Sequence, residues 1–268
     1  MPHKSTSMKV VIIGSGNTAT VLGTGILEAG HEVLQVISRQ ETHAARLAAD
    51  LHCGYATAWS DIDRTGELYL AALSDDALYG LGGSLSLAGK LVVHTAGTVP
   101  KAVLRPVSEN SGVLYPLQSL RKEIRPFPEF PLLIDALQES DRVIIAGFAR
   151  TISRQVREAD DAERLTLHLC AAMVNNFSNY LYTRAADFCR EEGTDFSLLL
   201  PIIRETAGRL SHFPPRDVQT GPAMRGDRSS IERHLNLLSN HDDLKELYSL
   251  FTKQIEAYYR NGEIPTQL

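Results

Sequence analysis

The chain has 268 residues with a formal net charge of -5, enough length for one large or two ordinary domains around a sizeable core. Its acidic balance and the lack of a basic run argue against a nucleic-acid partner, and no apolar run reaches the length of a membrane span. Cys53, Cys170 and Cys189 are scattered without a pair motif, which reads as reduced thiols in a cytoplasmic protein. The opening MPHKSTS is polar and lacks an apolar signal core, so Met8 reads as the natural start after a disordered lead.

The first element is a buried strand, Val10-Val11-Ile12-Ile13, which stops at Gly14-Ser15-Gly16-Asn17-Thr18-Ala19. A helical pattern with Val21, Leu22, Ile26 and Leu27 apolar follows. Strand, glycine turn and helix form the context of a dinucleotide fingerprint. Gly14 allows the tight turn, Gly16 lets a pyrophosphate approach the backbone, and Ala19 lets helix and strand pack closely. The helix N-terminus offers free N–H groups and partial positive charge to the phosphates.

Residues 31–38 read as the second strand, ending in Ser38-Arg39 about twenty residues past the fingerprint. An acid there would bind the ribose hydroxyls of NAD. A hydroxyl and a guanidinium suit a 2′-phosphate instead and point to NADP (NADPH). This position also argues against S-adenosylmethionine. Residues 41–51 read as a helix and 67–74 as a strand ending at Ser74-Asp75-Asp76. Ligands gather at the carboxyl ends of parallel strands, so Ser74 and Asp75 are expected to face the cofactor; Asp75 or Asp76 alternatively caps the next helix. A fourth strand, 90–93, leads into His94-Thr95-Ala96-Gly97, where His94 is either at the site or a packed structural histidine. Gly112 to Leu114 begins another strand before Tyr115-Pro116-Leu117-Gln118-Ser119, which places further polar groups at a strand end. Residues 131–135 read as a strand. Residues 138–152 are ambiguous, since Val143-Ile144-Ile145 favours a strand by propensity whereas Ile144, Phe148 and Ile152 recur at helical spacing; they read as a helix, with 153–158 a last strand. The alternation predicts a Rossmann-type, doubly wound, mostly parallel α/β sheet over residues 1–159.

From residue 160 only helices are expected, so residues 160–268 read as an all-helical substrate and dimerisation domain. A long helix runs from Asp160 or Asp161 to about Glu192. It is apolar almost all round and is expected to be buried, shared with a second copy in a homodimer. His168, Asn175 and Asn179 share one face, with Asn176 beside it. Buried amides and imidazoles need partners, so the stripe is either a structural network or a wall of a substrate site, with His168 the proton donor or acceptor. Further helices are read over 196–210, after Asp227 and over 242–260, with a fraying tail. Thr220 and Asp227 are placed to reach the cofactor cleft, unless Asp227 only caps its helix.

GSGNTA, HTAG at 94–97, YPLQSL at 115–120, HLCAAMVNNFSNYLY at 168–182 and QTGPAMRGD at 219–227 resemble the bacterial Rossmann-like proteins with a C-terminal domain of unknown function. Those proteins are described as NADP- or deazaflavin-dependent oxidoreductases, near ketopantoate reductase, pyrroline-5-carboxylate reductase and 6-phosphogluconate dehydrogenase. The resemblance implies an NADP-binding domain, then an all-helical dimerising domain like the C-terminal part of 6-phosphogluconate dehydrogenase. Several of those relatives carry a lysine and an asparagine one turn apart on the first long helix. Here the region has His168, then Ala172, then Asn175 and Asn176, without a lysine. The expected activity is NADP-dependent oxidoreduction of a small carbonyl or imine substrate between the domains. His168 moves the proton, Asn175 orients the substrate, and Gln118 and Thr220 shape the pocket. The second reading is a non-catalytic dinucleotide-binding protein, a redox sensor or dimeric scaffold. No metal-ligand spacing is visible.

Overall fold

In the computed structural model, residues 7–127 and 129–260 are described; the lead before Ser7 and the tail after Arg260 lie outside them. The chain divides into two compact units, one up to Phe177 and one from Ser178 onward. The division falls inside the long helix, whose first turns are tied to the first unit by polar bonds described below.

The first unit is built on one eight-stranded sheet. Strand β1 (Lys9–Ile13) leads through α1 (Asn17–Glu28) to β2 (Glu32–Ile37), then through α2 (Glu41–Asp50) to the short edge strand β3 (Gly54–Ala56). Next come β4 (Leu68–Ala71), α3 (Asp75–Leu81), β5 (Leu91–His94), β6 (Ser111–Pro116), β7 (Leu132–Ala136), α4 (Glu139–Ile152) and β8 (Val156–Glu158). The strand order is β3-β2-β1-β4-β5-β6-β7-β8, and all neighbours run parallel except β6 and β7. The exception has a local cause. Among the described residues no helix lies between β6 and β7, and the chain returns beside β6 in the opposite direction, which needs no crossover.

Alternate residues of β1 enter opposite layers. Val10 and Ile12 pack with Ala19, Leu22 and Ile26 of α1 and with Leu47 of α2; Val11 and Ile13 pack with Leu78 and Leu81 of α3. Both faces are therefore covered, as a parallel sheet requires. Helix α4 forms where the sequence was ambiguous, but with a shifted face. Ile145, Ala146, Phe148 and Ala149 are buried and Ile144 faces out. Glu139 and Asp141 sit in its first turn, where the helix dipole favours acids.

The long helix is α5 (Asp161–Ala171), a π-helical segment over Ala172–Phe177, and α6 (Ser178–Glu191). Asp160 caps it, its carboxylate accepting the Glu163 amide at 2.8 Å. Its apolar residues are not buried within the chain: Leu169, Met173, Val174 and Phe177 are exposed.

The second unit continues with α7 (Leu200–Arg209), which carries its proline in the first turn, and α8 (Pro222–Arg225). Helices α9 (Arg228–Leu237) and α10 (Asp242–Arg260) follow. Asp227 caps α9, accepting the Ser230 amide at 3.0 Å and its hydroxyl at 2.7 Å. The capping alternative therefore accounts for this residue.

Candidate active site

The topological switch of the sheet lies between β1 and β4, and the glycine turn stands at the carboxyl end of β1. Gly14 has φ +118°, and a Cβ there would lie 2.2 Å from the Ala72 carbonyl oxygen. The turn thus passes so close to the end of β4 that only glycine fits. Gly14 donates to the Ile37 carbonyl at 2.8 Å, which ties the turn to β2 as well. A Cβ on Gly16 would meet nothing within 4 Å, so the space beside it is open. Gly16 is the N-cap of α1, with no side-chain cap and no acid in the first turn. Gly16 and Asn17 are exposed, Thr18 is half-buried, and Ala19 is buried under the helix. Open space, uncapped N–H groups and missing acids fit a dinucleotide pyrophosphate.

The Ser15 hydroxyl donates to the Ser38 hydroxyl at 2.8 Å, which joins the turn to the end of β2. Ser38 and the exposed Arg39 line a cavity of about 590 Å3 with Trp59, Leu73 and Ala77. It has an aromatic and aliphatic wall and a cation at its rim. On the other side of the turn, Ser15 and Thr20 border a cavity of about 360 Å3 with His43, Arg46, Lys122 and Arg125. Asp50 and Glu123 line the same cavity, so its charge is mixed. Ser74 is the N-cap of α3 without a side-chain cap bond, and Asp75 accepts a short hydrogen bond from the Thr98 hydroxyl. That bond links the ends of β4 and β5.

A third cavity, about 540 Å3, lies wholly within the first unit. Tyr115, Gln118 and Ser119 line it from β6 and the following loop, and His168, Asn175 and Asn176 line it from the long helix. The Tyr115 hydroxyl and His168 Nδ1 are 3.0 Å apart. A Cβ on Gly97 would sit 2.5 Å from His168 Nδ1 and 3.0 Å from Tyr115 Cζ. Gly97 is therefore the floor on which both rings rest. Burial pushes the Tyr115 hydroxyl above its ordinary range, and the Arg164 charge pulls the other way. The Gln118 side-chain oxygen accepts the Ser119 amide at 3.0 Å.

The π turn explains why both asparagines line this cavity. In a regular α-helix Asn175 shares the His168 face, while Asn176 turns away by about 100°. The wider turn over Ala172–Phe177 spreads the residues and brings both to the wall. Asn179, placed on the same stripe from sequence, belongs to the second unit, where its carbonyl accepts the Thr183 hydroxyl.

Beneath the cavity lies a polar interior that sequence reading missed. Arg164 is 1% exposed, and its Nη2 donates to the Val99 carbonyl and to Asp161 at 2.8 Å. Asp161 also accepts the Lys101 amide at 3.0 Å, and Lys101 Nζ donates to Asp135 at 2.7 Å. His94 is fully buried, and its Nδ1 accepts the Ala96 amide at 3.2 Å. Burial and, next, the Arg164 charge push His94 down to about 4. Of its two readings, this burial fits the packed structural histidine. Thr220 lies in the second unit, in the turn before α8.

Among the described residues no group of three or more His, Cys, Asp or Glu side chains is placed to hold a metal, and no helix is long and apolar enough to cross a membrane.

Two families match the chain. Residues 9–97 match the NADP oxidoreductases described as coenzyme F420-dependent, and residues 130–255 match a domain of unknown function (DUF2520). A crystal structure of a candidate NADP oxidoreductase from Bacteroides fragilis is 33% identical, covers 95% of this chain and 100% of its own, and superposes with a TM-score of 0.85. An imine reductase from Streptomyces aurantiacus is 17% identical over 95% of this chain and 94% of its own, with a TM-score of 0.65. A reductive aminase from Aspergillus terreus, solved with NADPH and ethyl-5-oxohexanoate, is 18% identical over 96% of this chain and 95% of its own, with a TM-score of 0.60. These last two share the fold. A comparison with curated proteins found no match. With its glycine turn at the switch of a doubly wound sheet and its likeness over the full length of the Bacteroides protein, the chain belongs to the Rossmann-type NADP oxidoreductases that carry this C-terminal domain, whose cofactor is a nicotinamide dinucleotide.

Proposed function

We propose that the protein is an NADPH-dependent oxidoreductase acting on a small carbonyl or imine compound. The observation that carries this reading is His168, fastened by Tyr115 in a cavity it shares with Gln118, Asn175 and Asn176. The nicotinamide, when bound, supplies hydride. Gly14 to Ala19 hold the pyrophosphate at the N-terminus of α1. Ser38 and Arg39 take the 2′-phosphate, Arg39 through charge-assisted hydrogen bonds. Ser74 and Asp75 border the dinucleotide at the end of β4. His168 moves a proton at the carbonyl oxygen or imine nitrogen. Asn175 and Gln118 orient the substrate by hydrogen bonds, and the surrounding Leu117, Leu167 and Ala171 exclude water. Thr220 rests on the sequence alone.

The same reading includes a homodimer in a reducing, cytoplasmic compartment. It is supported by the three free cysteines and by bulky apolar side chains left in solvent, Val174 and Leu198 each at 75% exposure. A second copy would cover these faces.

The test is a titration with NADPH and NADH followed by cofactor fluorescence, then turnover of ethyl 5-oxohexanoate with a primary amine. NADPH should bind at least about tenfold more tightly, and Arg39→Ala should abolish the difference. His168→Ala should keep NADPH binding and lose turnover. Equal, weak binding of both cofactors would remove the main support. NADPH binding without turnover by the wild type across ketones and imines would favour the non-catalytic reading.

A further inference from the structure

We infer that Tyr115 is a positioning residue that holds His168 in the tautomer presenting Nε2–H to the cavity. The inference rests on the oxidoreductase reading for its purpose, but on geometry alone for its content.

Tyr115 is almost wholly buried at the end of β6, and its hydroxyl has His168 Nδ1 as its hydrogen-bond partner, at 3.0 Å. Two arrangements of the proton are open to this pair. If Nδ1 carried a hydrogen and donated to the tyrosine oxygen, the half-buried phenolic hydrogen would have no protein acceptor among the described residues. If the hydroxyl donates to a bare Nδ1, each group is satisfied. A half-buried donor left without a protein partner costs free energy, so the second arrangement is favoured. A neutral imidazole with bare Nδ1 carries its hydrogen on Nε2.

The ring cannot easily escape this arrangement. Gly97 backs both partners so closely that a Cβ there would overlap His168 Nδ1 at 2.5 Å and touch Tyr115 Cζ at 3.0 Å. The two rings are tilted by 60°, with centroids 6.0 Å apart, so they meet through the hydrogen bond and not by stacking. Both sit on rigid elements. One and two turns before His168, Arg164 and Asp161 pin α5 to the loop after β5 through the Val99 carbonyl and the Lys101 amide. With Nδ1 committed, Nε2 is the nitrogen left for the cavity wall that Gln118, Asn175 and Asn176 share. An Nε2–H group donates to an acceptor atom. The substrate atom that meets it is therefore a carbonyl oxygen or an imine nitrogen, not an N–H or O–H hydrogen.

The experiment is 15N NMR of the imidazole nitrogens in the full-length labelled protein, at mildly alkaline pH where an imidazole is neutral. The His168 signals are assigned by their loss in His168→Gln. The wild type should show a hydrogen-bonded, unprotonated Nδ1 and a protonated Nε2. Tyr115→Phe, which keeps the ring and removes the hydroxyl, should show a mixture of the two tautomers. With ethyl 5-oxohexanoate and an amine, Tyr115→Phe should lose about tenfold or more in kcat with KM for NADPH unchanged. A wild type with Nδ1 protonated, or a Tyr115→Phe spectrum identical to wild type, would overturn the inference. If Tyr115→Phe does not fold, the wild-type tautomer decides alone. Failure of the oxidoreductase reading looks different: the tautomer is as stated while NADPH fails to bind.

Discussion

His94 shows how one buried side chain ties stability to pH. In an unfolded chain it titrates near 6.5; in the fold, burial and the Arg164 charge push it down to about 4. The unfolded form therefore binds more protons across that window. The fold keeps the full His94 contribution above about pH 6.5 and loses it progressively as pH falls toward 4. Full protonation costs about 3 kcal/mol. His31 shifts in the same direction, again through burial. Its Nδ1 accepts the Met8 amide at 3.1 Å, and its Nε2 lies 2.7 Å from the Thr151 hydroxyl. A proton on Nδ1 would break the first of these bonds. Urea unfolding at neutral pH and at about pH 5 should show a clear drop in midpoint, before the carboxylates held low by their partners begin to titrate. A midpoint unchanged across that interval would contradict the assignment of both histidines as neutral in the fold.

At the scale of the element, α5 presents His168 because its first turns are anchored. Arg164 lies one turn before His168, and its guanidinium reaches both the Val99 carbonyl and Asp161. Both bonds leave one terminal nitrogen, Nη2, and a lysine keeps the charge but ends one bond short of that atom, so it does not reach both acceptors. Arg164→Lys should lower stability by about 2 kcal/mol, read from urea unfolding. It should also loosen the Tyr115–His168 bond, read from the imidazole spectrum. Stability and spectrum both like wild type would mean the anchor does not matter. The same helix shows where element-level reading of the sequence stops. Its start at Asp160 or Asp161 was legible, because an acid there with Glu163 in the first turn has a local mechanism, and the Glu163 amide decides for Asp160. The π turn was not, since Ala-Met-Val-Asn-Asn-Phe contains no residue that demands a wide turn. The face of α4 was misread for a related reason. Ile144 and Ile145 are both apolar, and only packing against the sheet decided that Ile145 goes inside.

At the scale of the whole molecule, the exposed apolar side chains are the outstanding feature. Leu169, Met173, Val174 and Phe177 stand in solvent on the first unit, and Leu198, Ile202, Leu210 and Phe213 on the second. A monomer rarely leaves so much apolar surface uncovered. Sedimentation velocity should find a dimer at micromolar concentration, and Val174→Glu should shift it toward monomer. A wild-type monomer at high concentration would remove the homodimer from the proposal. The expectation of a buried helix was thus unmet within one chain, and the proposed second copy is where that burial would come from.

What the sequence by itself determined is local. The Val10–Ile13 run, the Gly14-Ser15-Gly16 turn and the helix that follows are encoded by neighbours in the chain, and so is the Ser38-Arg39 pair at the end of β2. The alternation of strands and helices carried the doubly wound sheet with them. The reversal at β7 required the fold, because a 117–131 connection without a helix reads the same whichever way the next strand runs. Contacts between distant residues required it too. Tyr115 meets His168, Gly97 backs them both, and Arg164 lies under His94, but nothing in any one of these segments specifies its partners. Hydrogen bonding and close packing between segments far apart in the chain brought them together.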